Sequence, residues 1–201
     1  LHMAALVGER GRVFAFEPNP GNCELVERSI EVNQFDNLEL FPFAVGDAAG
    51  EIELLVEGNH TNARVFLNPD FDSPNAQRYR VKVVSLDECL ADIPRLRFIK
   101  IDVEGAEPLV FAGMSRLLAQ HRPILLFEFF PDLIRKTSQI DPQQLIEVIF
   151  EHDYSLYLIE KTSTLTEIHD SSQVMRMQKA SGGTNVDILA IPVEVKDLAI
   201  V

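Results

Sequence analysis

Carboxylates follow three predicted strands of this sequence at the point where each strand ends. Glu17, Asp102 and Glu128 each close a run of mostly apolar residues. Such runs are typical of strands that are buried on both faces of a parallel sheet. Sheets of this kind bind ligands at the carboxyl ends of their strands, where carboxylates can accept hydrogen bonds or protons. A single acid at a strand end often serves only to meet water, but the recurrence at three ends favours a functional edge.

The segment KIDVEGAE, residues 100–107, is the most informative one for chemistry. An unpaired ammonium such as that of Lys100 is costly inside an apolar strand. Alternate side chains of a strand point to the same face, so Lys100 and Asp102 share one face, where Glu104 could join them. We therefore expect a charge-paired cluster at the end of this strand, which leaves a structural ion pair and a catalytic role equally open. We interpret Glu107 as an acid that stabilises the amino end of the following helix. Two carboxylates without a third ligand are too few to predict a metal site.

Glu17 follows its strand where a mononucleotide-binding fold holds a ribose. A carboxylate there accepts hydrogen bonds from both ribose hydroxyls, which suits NAD and S-adenosylmethionine equally. Such an acid follows a glycine-rich loop by ~20 residues. Counting back from Glu17 puts that loop at or before residue 1, and no Gly-x-Gly motif stands at the start. We therefore expect an N-terminally truncated domain that lacks the first strand and its glycine loop.

The composition excludes several classes of protein. Asp plus Glu number 31 against 18 for Lys plus Arg, which gives a formal net charge of −13. This charge argues against a nucleic-acid partner and against an anionic membrane surface. No apolar run approaches the ~20 residues of a bilayer span. Cys23 and Cys89 form no disulfide framework, so we expect a cytoplasmic protein.

The remaining pattern alternates helices with strands, which predicts one doubly wound α/β domain over residues 1–201. From 50 to 84 the alternation stops, and short strands joined by polar loops indicate a β insertion. The insertion strands are predicted at 51–57, 63–67 and 79–84. Elsewhere we predict a helix that follows the break at Pro18–Pro20 and runs to about Asn33, and further helices at about 107–120 and from 141. A strand is predicted at 37–45, and tail strands at 154–160, 164–168 and 185–192 with no helix among them.

Five segments resemble one family. They are Gly11–Pro20 (GRVFAFEPNP), Ala44–Asp47 (AVGD), Ser85–Asp87 (SLD), Phe98–Glu107 (FIKIDVEGAE) and Phe127-Glu128. In this order they resemble the FkbM family of S-adenosylmethionine-dependent methyltransferases over about the whole chain, and the IDVEGAE block is the most specific of them. The resemblance implies the class I methyltransferase fold, a Rossmann-like α/β sheet that is mostly parallel with an antiparallel last strand.

The resemblance also implies roles for individual residues. Glu17 would hold the ribose of S-adenosylmethionine, and Asp102 would lie near the methionine end or the acceptor. The other implied positions are Asn19, Ala44 and Val45 near the adenosine, and Glu104 and Glu128 on the acceptor side. The cofactor loop of the family, of the type Asp-x-Gly-Ala-Asn-x-Gly, is absent from this sequence.

These observations lead to one preferred function and two alternatives. We expect an O-methyltransferase that acts on a hydroxyl of a sugar or other polyhydroxylated small molecule. Asp102 is the first candidate for the general base, followed by Glu104, with Lys100 holding Asp102 in place. An NAD-dependent oxidoreductase would also use Glu17, but it predicts further strand–helix units after Glu128. A truncated, non-catalytic interaction module would have unpaired sheet edges and could form a homodimer.

Overall fold

The computed structural model of the chain describes residues 1–56, the backbone of 63–65, and residues 77–195. The chain divides into two compact units, Leu1–Ser85 and Leu86–Val201. No helix within the described ranges is long and apolar enough to span a bilayer.

The first unit begins with a helix–strand–helix–strand succession. Its elements are α1 (His2–Val7), β1 (Val13–Phe16), α2 (Pro20–Asn33) and β2 (Leu38–Phe41). Strands β1 and β2 pair in parallel, with Phe16 opposite Phe41. Their rings stack with centroids 4.8 Å apart. Helix α2 begins as its residue types require, because Asn19 caps the first turn and Pro20 occupies the first helical position.

The second sheet of this unit confirms the predicted β insertion. It contains β3 (Ala44–Val45), β4 (Gly50–Val56), β5 (Ala63–Val65) and β6 (Gln77–Val84) in the order β3-β6-β4-β5. Positions 57 and 66–67, at the ends of two predicted insertion strands, lie outside the described residues. The prediction of a single strand at 37–45 is wrong, because Pro42 cannot donate to a ladder and the Phe43 amide turns back to the Phe41 carbonyl.

The second unit is built on a five-stranded sheet. Its elements are α3 (Leu86–Cys89), β7 (Phe98–Ile101), α4 (Glu107–Ala112), α5 (Ser115–His121), β8 (Ile124–Phe129), α6 (Pro131–Thr137), α7 (Pro142–Glu151), β9 (Tyr154–Ile159), β10 (Leu165–Ile168), α8 (Ser171–Ala180) and β11 (Val186–Pro192). The strand order is β10-β9-β11-β8-β7. Strands β7 and β8 are parallel, and β11 runs antiparallel to both of its neighbours. The last strand is therefore antiparallel, as the resemblance implied.

The two faces of this sheet differ in burial. Leu125, Phe127 and Phe129 of β8 are fully buried, and Phe127 packs edge-to-face on Phe111 of α4. The alternate positions of β8 are only half-buried, and Lys100 of β7 is exposed. The apolar runs predict burial of both faces, but only one face of the β7–β8 pair carries the core.

Two helices of this unit were not predicted. Helix α6 begins at Pro131, directly after β8, and helix α8 lies between β10 and β11, where we expected no helix. Asp170 caps α8 by accepting the Gln173 amide. Its sequence, SSQVMRMQKA, has too few apolar residues to give a clear helical period. The predicted helix at 107–120 is two helices, α4 and α5, because the chain breaks at Gly113.

Arg122 joins three segments of the second unit. Its guanidinium donates to the backbone carbonyls of His152 and Asp153 and to the Glu194 carboxylate, and it lies 4.8 Å from the centre of the Tyr154 ring. We expect Arg122→Ala to lower the free energy of unfolding by about 2 kcal/mol, because it removes donors to two carbonyls.

Urea denaturation of the wild type and the variant measures this loss. Arg80→Ala is the matched control, since Arg80 is a strongly exposed arginine whose ion pair with Glu51 lies at the surface. It should change the free energy of unfolding by less than about 0.5 kcal/mol. Equal losses for the two variants would contradict the role assigned to Arg122.

Candidate functional site

Three carboxylates form a row across neighbouring strands of the second unit. Ile101 of β7 lies opposite Phe127 of β8, so the next residues, Asp102 and Glu128, are also neighbours. Across the antiparallel pair, Asp187 of β11 lies directly opposite Glu128. Residues opposite one another project from the same face of a sheet, and like charges in such pairs are destabilising. We call Asp102, Glu128 and Asp187 the acidic row.

The surroundings of Glu128 in the acidic row raise the pKa of its carboxyl group. Burial raises its pKa, and the charge of Asp102 raises it further. Asn185 opposes this shift by donating a hydrogen bond to Glu128 Oε1, while the charges of Glu104 and Asp187 add to it. A carboxyl group with a raised pKa can take up a proton at a higher pH than an ordinary glutamate. The raised pKa therefore suits Glu128 to accept a proton.

The predicted ion pair of Lys100 with Asp102 is confirmed. Lys100 Nζ lies 2.7 Å from Asp102 Oδ2, and both side chains are about half-exposed. This exposure explains why an ammonium is tolerated in β7, since the charged group keeps contact with water. The pair fixes the Asp102 carboxylate at one end of the acidic row.

The turn between β7 and α4 has an unusual backbone. Glu104 and Gly105 have φ angles of 54° and 93°. A Cβ atom on Gly105 would lie 2.5 Å from the Leu133 carbonyl oxygen, so a glycine is required there. The buried Thr137 donates its hydroxyl to the Glu104 carbonyl at 3.1 Å. Helix α6, which carries both Leu133 and Thr137, therefore packs directly on the turn.

Glu107 is a buried acid next to this turn, with only 2% of its surface exposed. Its Oε1 accepts the amides of Gly105 and Val103 at 3.3 and 3.4 Å. Its Oε2 is buried and has no hydrogen-bond partner among the described residues. Burial raises the pKa of Glu107 to about 7 against the lowering effect of the backbone hydrogen bonds, and the charge of Glu128 adds to the rise.

In the first unit, Glu17 is fixed by the residues that start α2. Its half-buried carboxylate accepts the Asn19 amide through Oε1 at 2.9 Å, and its backbone carbonyl accepts the Cys23 thiol at 3.0 Å. Asn19 is 1% exposed, and its Oδ1 caps α2 by accepting the Gly21 amide. The arrangement holds the Glu17 carboxylate at the carboxyl end of β1.

The family model for the FkbM methyltransferase domain matches residues 1–170 of this chain. The chain belongs to the FkbM methyltransferase family. Among solved structures, it is similar to a crystal structure of methyltransferase FkbM from Methylobacillus flagellatus KT, with a TM-score of 0.54 and 18% identity. That alignment covers 94% of this chain and 40% of the other, so the chain spans well under half of that protein's length. At this identity the likeness shows the α/β fold alone. No curated protein matches the chain significantly.

The residues expected from the FkbM resemblance fall into two groups. The second unit brings Lys100, Asp102, Glu104 and Glu128 to the same end of its sheet. The first unit brings Glu17 and Asn19 together, and it places Ala44, which is buried, and Val45, which is half-buried, in β3. Their functional roles stay predictions. Among the described residues, no group of at least three His, Cys, Asp or Glu side chains is arranged to hold a metal ion.

Three residues of this candidate site were not predicted from the sequence. Asp187 and Asn185 reach Glu128 only through the pairing of β11 with β8. Glu107 was interpreted as a helix-end acid, and it does begin α4, but its burial was not foreseen. One signal could have found it, since Glu107 stands between Ala106 and the apolar run that starts at Pro108. An acid inside such a run has no easy route to solvent.

Proposed function

We propose that this FkbM-family chain belongs to an S-adenosylmethionine-dependent O-methyltransferase that methylates a hydroxyl of a sugar or other polyhydroxylated small molecule. The acidic row is the observation that carries the proposal. Opposed carboxylates weaken a sheet, so their presence at a ligand-binding edge favours a role in chemistry. Such a role suits a hydroxyl acceptor, because the hydroxyl must lose its proton to a nearby base as the new bond to carbon forms.

The residues around Glu17 fit the proposed cofactor. A carboxylate held at the end of a parallel strand can accept hydrogen bonds from the two ribose hydroxyls. The Asn19 amide fixes one Glu17 oxygen, which supports a role for Asn19 in orienting Glu17. Ala44 and Val45 would supply a small apolar surface for the adenosine. When bound, S-adenosylmethionine supplies a methyl group on a sulfonium, and the protein then has to align the acceptor and receive its proton.

The pKa of Glu128 supports this residue as the proton acceptor. The sequence favoured Asp102, but the Asp102 carboxylate is already bound to the Lys100 ammonium. The pKa of Glu128, raised by burial and by Asp102, makes proton uptake easier. In this assignment Lys100 and Asp102 shape the electrostatic environment of Glu128, and Glu104 lines the acceptor side of the site.

Two measurements test the proposed function. Calorimetric titration of the chain with S-adenosylhomocysteine tests the cofactor, and transfer of a radiolabelled methyl group from S-adenosylmethionine to a panel of sugars tests the reaction. We expect binding of S-adenosylhomocysteine and label in at least one sugar. Absence of binding both by this chain and by a version extended upstream would contradict the cofactor assignment. Binding without transfer to any hydroxyl compound would favour the non-catalytic interaction module.

Glu17→Gln should weaken the binding of S-adenosylhomocysteine by about tenfold, because a neutral amide accepts a ribose hydrogen bond less strongly than a carboxylate. The dissociation constant is measured by calorimetry. Glu31→Gln, an exposed acid on α2, is the control and should leave the affinity unchanged. An unaltered affinity in Glu17→Gln would remove Glu17 from the ribose site.

Glu128→Gln should lower the rate of methyl transfer by about 100-fold, because the amide cannot take up the hydroxyl proton. Its affinity for S-adenosylhomocysteine should stay within about threefold of the wild type, since the cofactor is assigned to other residues. Initial rates with a sugar that the panel identifies give the comparison, and the exposed Glu167→Gln is the control. A larger loss in Asp102→Asn than in Glu128→Gln would return the role of base to Asp102.

A further inference from the structure

Glu107 is a buried ionisable group that the proposed reaction does not use. Its Oε1 accepts the amides of Val103 and Gly105, which lie on either side of Glu104. An apolar side chain would fill the same buried space without the cost of burying a carboxyl group. An apolar residue at position 107 could not accept the amides of Val103 and Gly105. These two hydrogen bonds therefore explain why an acid stands at this position.

The turn that Glu107 contacts needs support. A residue with a side chain disfavours a positive φ, and Glu104 has a φ of 54°. Two buried groups hold the turn from different helices. Thr137 of α6 donates to the Glu104 carbonyl, and Glu107 of α4 accepts the neighbouring amides. Both helices are anchored in the core, so the strained turn is fixed at its carbonyl and at its amides.

We propose that Glu107 is a positioning residue for the proposed methyl transfer, because its carboxyl group holds the turn that carries Glu104 and that directly follows Asp102. This inference rests on the proposed function, since it assumes that Asp102 and Glu104 belong to the reacting site. A group that holds others in place acts through distance and orientation, and small displacements of reacting groups strongly reduce rates.

The charge of Glu107 gives this role a signature that a purely structural contact lacks. Burial raises the pKa of Glu107 to about 7, and the negative charge of Glu128 adds to this rise. We therefore expect this carboxyl group to change charge near neutral pH while it remains bonded to the turn. The amides of Val103 and Gly105, which donate to it, should report that change.

The first test is a nuclear magnetic resonance titration of the wild-type chain. The amide signals of Val103 and Gly105 should shift together with a midpoint near pH 7. In Glu107→Gln, which keeps the acceptor oxygen but cannot ionise, this shift should disappear. In Glu107→Ala, amide hydrogen exchange at both positions should accelerate by at least about tenfold, because the acceptor is lost. The exposed Glu151→Gln is the control and should behave as the wild type.

The second test compares kcat with KM for a sugar that the wild type methylates. Glu107→Ala should lower kcat by about 100-fold with KM within about threefold, and Glu107→Gln should recover most of that loss. Circular dichroism gives the folded fraction of each variant. The inference is overturned if Glu107→Ala keeps the wild-type rate of methyl transfer and the wild-type amide exchange at Val103 and Gly105. It is also overturned if the fall in kcat of Glu107→Ala is no larger than the fall in its folded fraction. A third contradicting result is that the amide signals of Val103 and Gly105 in the wild type do not shift with pH. A wild type that transfers no methyl group would instead refute the proposed function.

Discussion

Gly105→Ala is expected to lower the free energy of unfolding by about 4 kcal/mol, through two separate causes. A side chain at a φ of 93° is strained whatever the space around it. The added Cβ would also lie 2.5 Å from the oxygen and 2.7 Å from the carbonyl carbon of Leu133. These are backbone atoms of α6, so a rotamer change cannot relieve the clash. Either the helix or the turn must move, and the turn carries Glu104 and directly follows Asp102.

Substitutions at two other glycines distinguish the strain of a positive φ from the clash with a neighbouring backbone. Gly182 has a φ of 106° but open space around its Cβ position, so Gly182→Ala should cost only about 1 kcal/mol. Gly50 has open space and no positive φ, so Gly50→Ala should lie within about 1 kcal/mol of the wild type. Urea denaturation gives all three values. A loss in Gly105→Ala no larger than that in Gly182→Ala would show that the contact with Leu133 is not rigid.

The features predicted correctly from the sequence are those with local signals. Apolar runs that end in an acid located β1, β7 and β8 together with Glu17, Asp102 and Glu128. The loss of helix–strand alternation after residue 50 located the β insertion. The spacing of Lys100 and Asp102 predicted their ion pair, because residues two apart in a strand share a face. Each of these inferences needs only the few residues on either side of the feature.

The missed residues of the candidate site depend on contacts between distant segments. Asp187 joins the acidic row because β11 enters the sheet between β8 and β9 in one particular register. A slip of one residue would turn Asp187 to the other face, and no local pattern fixes that register. Burial of Glu107 likewise depends on the packing around α4. The strand at 37–45 is a different case, since Pro42 was a local signal for the break.

Glu107→Gln is expected to make the protein more stable than the wild type at alkaline pH and to leave its stability nearly unchanged at acid pH. Burial raises the pKa of Glu107 from 4.5 to about 7. Below pH 4.5 the carboxyl group is protonated in both the folded and the unfolded chain, so it contributes no pH dependence. Between pH 4.5 and 7 the unfolded chain loses its proton first, and the folded state is destabilised progressively as the pH rises.

The size of this effect follows from the pKa values. The difference between 7 and 4.5 corresponds to about 3 kcal/mol, fully developed above pH 7. The difference in unfolding free energy between Glu107→Gln and the wild type should therefore grow by about that amount from pH 4.5 to pH 8, as measured by urea denaturation at each pH. The lowered pKa of Glu194, about 2, has the opposite sign, because its stabilisation is lost only as the pH falls below 4.5. The two effects thus occupy separate pH ranges. A difference that stays constant with pH would show that Glu107 does not ionise within the core.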